Sequence, residues 1–403
     1  MPFLSFSTAR KIFAGLGGLY VATVVLLTIP YFQTHTLFLH AVKLPFFANF
    51  DVPELYGLAP NKTINLRIET ADNESLGAWF VLSDSFYHSL PTIPSQPSDL
   101  LATALNARPT ILFFHGNAAT RALGARIQHY TGYSSRLAAN VLVIDYRGFA
   151  DSTGTPTQPG LARDARAAWN WLIKNGASAD QILIMGHSLG TGVSSLLAAE
   201  LSDEGISPRG LVLLSPFSSI TKLLETYSIF GVVPLIKPLA MVPWVAKMVL
   251  SMLVHTFETD TLVPRIKGPV LIAHAGKPFL GFSLLDLISM AENDWEIPYS
   301  HSQALFDAFL DPLLPTAPQL PANAAAFTQE EWSLFMDRVA KRKDLREGIV
   351  TTVELRNFGT VHEFTESGRK VTFVHTRAGG HDYLGIQEGL HDIIGRNFGF
   401  FGH

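Results

Sequence analysis

Apolar and polar positions change rhythm along the chain. From Ile12 to Phe32 they barely alternate: the run carries no charge and is broken only by small or hydroxyl residues such as Gly15, Gly17, Gly18, Thr23 and Thr28, and by Pro30 near its end. At about 1.5 Å of rise per residue, a helix over this run spans roughly 30 Å, the thickness of a hydrocarbon core. Arg10 and Lys11 stand just before it, which by the positive-inside bias keeps the short N-terminus cytoplasmic and puts the rest of the chain across the membrane. The run is longer than the apolar region of a cleaved secretory signal, and no small-x-small site closes it. Residues 1–33 are therefore expected to form a retained single transmembrane anchor. Residues 34–60, with Pro45, Phe46, Phe47, Phe50 and Pro53, are expected to be a connector that skirts the bilayer surface.

Beyond Pro60 short apolar strands begin. Ile64, Leu66 and Ile68 share one face of a strand, and a second runs from Leu76 to Leu82. From Thr110 onward strands and helices take turns. Strands are expected from Thr110 to Phe114, Val141 to Asp145, Gln181 to Met185, Gly210 to Leu214, Val270 to His274 and Val371 to Thr376. Helices are expected from Leu161 to Lys174, Leu189 to Leu201 and Tyr383 to Phe400. This order predicts a mostly parallel sheet with helices on both faces, in a domain of residues 61–403. An apolar stretch from Ser228 to Phe257, broken by Pro234, Pro238 and Pro243, lies between two of the strands. Prolines this close argue against a second membrane span, and the stretch is expected to belong to a cap inserted at about 218–265. Further insertions are expected at about 276–291 and 310–368. Within the last, Gln329 to Glu347 reads as a charged amphipathic helix with a solvated face.

Composition narrows the classes. The 403 residues include 30 Lys and Arg against 34 Asp and Glu, a net charge of -4 that offers no electrostatic footprint for nucleic acid. There is no cysteine, which excludes a disulfide scaffold, a thiol nucleophile and zinc-thiolate or iron-sulfur ligation. Charged residues make up 16%, below the roughly 25% of soluble domains, as expected of a chain that partly faces lipid. Two acceptor sequons, Asn61-Lys62-Thr63 and Asn73-Glu74-Ser75, agree with a lumenal position for the domain.

The chemistry concentrates at Gly186-His187-Ser188-Leu189-Gly190, where an expected strand turns into a helix. In G-x-S-x-G the serine sits on a sharp turn whose flanks must be glycine, because a Cβ there would collide with the neighbouring strand and helix. The hydroxyl is lifted to a helix N-terminus, where negative charge developing on an attacked carbonyl oxygen is favoured. His115-Gly116-Asn117 directly follows another expected strand, the place where an oxyanion-hole amide sits in such an architecture. The backbone N–H groups of Asn117 and Leu189 are the expected donors, while His115 and His187 read as buttresses of their turns.

Together, His115-Gly116-Asn117-Ala118-Ala119-Thr120-Arg121, Asp145-Tyr146-Arg147-Gly148, Asp151 to Pro156, Gly186 to Gly192 and Ser215-Pro216-Phe217 closely resemble the membrane-anchored α/β-hydrolase-domain monoacylglycerol and lysophosphatidylserine lipases. The resemblance implies an α/β-hydrolase fold, a single-pass anchor and a catalytic domain facing the endoplasmic reticulum lumen. In this fold the triad follows the order Ser, acid, His. His381, in the turn Gly379-Gly380-His381-Asp382, is the expected base in preference to His375 within a strand. Family members carry the acid in a pattern of Asp, three residues, then Pro, which Asp294 to Pro298 fits; Asp260 has the same spacing but precedes the strand, and Asp286 lies in the 276–291 insertion. That insertion is absent from the family pattern. It is either an apolar loop near the acyl entrance or a translated intron, since its removal would join Ala275 to Glu292. The cap either dips into the bilayer and admits an acyl chain or packs only on its own domain. The expected function is hydrolysis of carboxylic esters of single-chain lipids by Ser188, His381 and Asp294, without metal or organic cofactor. A protein depalmitoylating thioesterase and a non-catalytic membrane scaffold are the alternatives.

Overall fold

The computed structural model describes residues 6–226, 228–229, 233–234, 237–276, 297–320 and 327–401. Its strands are β1 (Thr63–Glu69), β2 (Ser75–Val81), β3 (Thr110–Phe114), β4 (Asn140–Ile144), β5 (Ile182–His187), β6 (Gly210–Leu214), a two-residue pair β7 (Ser228–Ile229) and β8 (Val233–Pro234), β9 (Val270–Ala275), β10 (Thr351–Leu355), β11 (Gly359–Glu366) and β12 (Arg369–Thr376). Ten of them form one sheet in the order β1-β2-β4-β3-β5-β6-β9-β12-β11-β10. The middle six strands are parallel, and antiparallel pairs close both edges.

Successive residues of a strand face opposite sides of a sheet, and here that alternation sorts the core into two layers. Leu112, Phe114, Ile184, Leu213 and Ile272 point to one side, where the helices Gln158–Lys174 and Leu189–Asp203 contribute Leu161, Ala165, Val193 and Leu197. Ile111, Phe113, Met185, Val212 and Leu271 point to the other, against Ile127 and Tyr130 of the helix Gly124–Arg136 and Leu390 and Ile394 of the helix Glu388–Asn397. The central strands are buried on both faces, which is why they read as unbroken apolar runs.

Three expectations change at the ends of elements. The run from Ile12 to Phe32 is not one helix: Phe6–Leu27 is followed by a separate helix Pro30–Phe38. Proline has no N–H to continue the first helix but suits the first turn of the next. The final helix does not run from Tyr383 to Phe400. It divides into Gly380–Tyr383, a 3-10 turn Leu384–Ile386 and Glu388–Asn397, because Gln387 is extended (φ -66°, ψ 126°). The insertion expected at 310–368 holds the helix Gln329–Ile349, started by a Thr328/Glu331 capping box, and also contains β10 and β11. That helix is solvent-facing as expected, but its apolar residues Leu334 and Met336 are exposed with its charges, so it is not amphipathic.

One helix of the described residues, over Arg10–Leu27, is long and apolar enough to cross a membrane. The segment after it is fastened to the domain rather than lying free of it. Phe38 is fully buried, and the Gln33 side chain donates to Met252 O and accepts from the Val254 N–H, both at 2.9 Å.

Candidate active site

The chain runs from β3 to β4 in one direction across the sheet and from β5 through β6, β9 and β12 in the other. The C-terminal ends of β3 and β5 therefore border the crevice at which strand order reverses, the general binding position of such sheets. His115-Gly116-Asn117 leaves β3 there, and Ser188 leaves β5.

Ser188 joins β5 to the helix Leu189–Asp203 with φ 52° and ψ -120°, a left-handed backbone that a residue with a Cβ adopts only under constraint. The constraint is visible: its N–H donates to Leu214 O (3.0 Å), and its carbonyl accepts from the Thr191 N–H (2.9 Å) and hydroxyl (2.6 Å). A Cβ on Gly186 would overlap the Gly190 carbonyl, and one on Gly190 would overlap the Phe114 carbonyl, so the bend closes only with glycine on both sides. Leu189 is the first residue of the helix, where an N–H has no intrahelical acceptor.

Facing the bend, the loop after β3 has its carbonyls gathered on one buried cation. Arg126 Nη1 donates to Thr120 O (3.0 Å), and Nη2 reaches Gly116 O and Asn117 O at 3.0 Å and Ala118 O at 2.8 Å. The His115 Nδ1–H also donates to Gly116 O at 2.7 Å. In a trans peptide the carbonyl and the following N–H point opposite ways, so pinning Gly116 O turns the Asn117 N–H away from Arg126. Ala118 and Ala119 hold φ of 54° and 53°. Their N–H groups and that of Thr120 donate to Phe38 O (3.0 Å), Val42 O (2.6 Å) and Leu44 O (3.0 Å) of the segment that follows the long apolar helix. Among the described residues, neither the Asn117 nor the Leu189 N–H has an acceptor. Gly116 packs close enough to the bend that a Cβ on it would lie 3.2 Å from the Ser188 Cβ.

His381 is brought to the same place. It follows β12, whose end pairs with the end of parallel β9 (Thr376 opposite Ala275). The His187 Nε2–H donates to His381 O (2.8 Å), and the two rings lie 4.9 Å apart. The His129 Nε2–H donates to Asp382 O (2.9 Å) and the His391 Nε2–H to Gly385 O (2.8 Å). Three buried imidazoles thus hold the carbonyls of residues 381, 382 and 385, in and just after the His381 turn. Burial lowers all three pKa values: His129 to about 4, His187 well below the ordinary 6.5, helped by its histidine neighbours, and His391 below it as well. His187 and His115 therefore buttress their turns, while His129, His391 and Arg126 carry roles that no motif announced. The only signal for Arg126 is its spacing to Tyr130 and Tyr133, which places it on the buried face of its helix.

Of the other residues, His375 lies in β12 with its ring 4.3 Å from that of Tyr299. Asp260 is engaged by Lys222 Nζ at 2.5 Å. Asp294 and Asp286 lie outside the described residues, as does all of the 276–291 insertion except Gly276. Among the described residues no group of His, Asp and Glu is arranged to hold a metal ion.

A glycine-framed serine at a strand-to-helix bend in this sheet defines an α/β-hydrolase, and the alpha/beta hydrolase fold family matches residues 109–229. The chain belongs, more narrowly, to the family of the lysophosphatidylserine lipase ABHD12. It is 32% identical to that protein of Danio rerio over 77% of this chain and 81% of the relative. It is 34% identical to that of Xenopus tropicalis over 69% and 70%. Among solved structures, an alpha-beta hydrolase from Vibrio vulnificus is similar with a TM-score of 0.45 and 18% identity, covering 70% of this chain and 91% of that one.

Proposed function

We propose that this protein is a membrane-anchored serine hydrolase that cleaves the carboxylic ester of single-chain lipids, lysophospholipid or monoacylglycerol. Residues 1–33 form the anchor, and the domain of residues 61–403 faces the endoplasmic reticulum lumen. The observation that carries this reading is the docking of the His381 turn onto His187, the residue before Ser188. His381 takes the proton of Ser188 as the hydroxyl attacks the ester carbonyl; the Asn117 and Leu189 N–H groups receive the oxyanion; His381 then gives the proton to the departing alcohol. Water repeats the sequence on the acyl-enzyme and releases the fatty acid. Asp294 orients the imidazole and stabilises its charged form. The topology supports that assignment, because β9, the last described strand before Asp294 in the sequence, ends beside the strand end that leads to His381. The names of the relatives favour a lysophosphatidylserine head group.

Labelling of the membrane-embedded protein with a fluorophosphonate tests the reading. Wild type should react, Ser188→Ala should not, and Asp294→Asn should lower kcat by about 10⁴-fold, the cost of a wrong tautomer. Asp260→Asn should leave activity intact. Labelling that survives Ser188→Ala, or activity that survives Asp294→Asn but not Asp260→Asn, would overturn the corresponding assignment.

A further inference from the structure

Beside the proposed oxyanion loop lies an apolar cavity of about 260 Å³, below the size of usual drug-sized pockets and suited to one acyl chain rather than two. Asn117 lies at its wall. Three of the other walls come from Leu224 of the helix Ile220–Thr226, Leu250 of the cap helix Pro243–Ser251 and Leu37 of the helix Pro30–Phe38. The last contribution is from the membrane anchor itself, through Val24 and Leu27.

These two residues are one turn apart and face inward, Val24 being 7% exposed, whereas Val25 (57%) on the same helix faces outward. Two polar side chains at the cavity, Gln33 and His255, are already engaged. Gln33 spans Met252 O and the Val254 N–H, and His255 Nε2 lies 3.2 Å from Thr34 Oγ1. Those bonds tie the cap to the juxtamembrane helix and leave an apolar lining between them. On its outer side the cap helix exposes Trp244 and Met248, an amphipathic arrangement suited to the lipid interface.

We propose that the last turn of the anchor is a wall of the acyl-binding site. A single acyl chain passes from the leaflet between Leu27 and the cap helix, and its ester reaches Asn117 without crossing water. The anchor then selects acyl length as well as fixing location. This rests on the reading of Ser188 as the nucleophile of a lipid ester hydrolase.

The test uses the full chain in nonionic detergent micelles with para-nitrophenyl butanoate and hexadecanoate. Leu27→Trp should lower kcat/KM for hexadecanoate about tenfold more than for butanoate, because the indole blocks space that only the longer chain uses. Val25→Trp, on the opposite face, should leave the ratio as in wild type. If Leu27→Trp fails to fold, Leu27→Ala should move the ratio at least threefold. A ratio unchanged in a Leu27 variant that still labels with fluorophosphonate, or one moved equally by Val25→Trp, would overturn the proposal. Esterolysis that persists in Ser188→Ala would instead overturn the hydrolase reading beneath it.

Discussion

The His187 ring donates its Nε2–H to the carbonyl oxygen of His381 across 2.8 Å, linking residues 194 positions apart. The residue next to the proposed nucleophile thereby holds the backbone of the proposed base, so the two arrive as a unit. Removing a buried donor leaves the carbonyl unsatisfied at about 1–3 kcal/mol. His187→Ala should therefore lower kcat on para-nitrophenyl butanoate roughly 10- to 100-fold, and His187→Gln, whose amide can still donate, should lose less. Steady-state kinetics with melting curves for each variant check this; equal kcat in all three proteins would remove His187 from the positioning of His381.

Arg126 fixes the peptide that aims the Asn117 N–H. Arg126→Met should lower kcat about 10²- to 10³-fold, the cost of an oxyanion donor, with far less effect on KM. Arg126→Lys should recover only part, since one ammonium replaces a fork that gathers four carbonyls. A fall in thermal stability with kcat preserved would show that the residue acts on the fold alone.

The three imidazoles that hold the His381 turn make stability depend on pH. Burial lowers their pKa values in the folded state, so in mild acid the unfolded chain binds protons that the native chain does not. Their contribution is complete above about pH 6.5 and declines as pH falls; for His129 the decline extends to about pH 4 and amounts to on the order of 3 kcal/mol. Asp72, held below its ordinary value by hydrogen bonds from Arg147, loses its contribution at lower pH still. Denaturant midpoints at about pH 7.5 and 5 should show the loss, and His129→Gln should reduce the difference. A midpoint that stays level or rises in acid would contradict it.

Phe38, Val42 and Leu44 supply the carbonyls that receive the N–H groups of Ala118, Ala119 and Thr120. A chain beginning at Thr28 keeps these bonds and should retain fluorophosphonate labelling. One beginning at Pro45 loses all three and should label slowly or not at all. Labelling rates of the two truncated proteins provide the measurement, and equal rates would show that the proposed oxyanion loop holds its shape unaided.

The strands were legible because each central one is apolar on both sides, and the Ser188 bend because two glycines frame it in a spacing that few other needs produce. Arg126 was not, since an arginine in a helix reads as a surface residue unless its carbonyl partners are known. His129 and His391 act through backbone atoms more than 250 and only 6 positions away respectively, and neither separation leaves a motif. β10 escaped because its side chains are largely exposed, so no alternation of apolar and polar marks it. The boundary at Pro30 was visible as a residue but not as a bend, because hydropathy carries no direction.

Ser188 keeps its left-handed backbone because hydrogen bonds and close-packed glycines on either side compel it. Glycine would occupy that position with less strain. A library sorted for heat resistance alone would accordingly drift toward losing the serine, and variants enriched by such sorting would be sturdier and inert. Reactivity and endurance pull this one position in opposite directions.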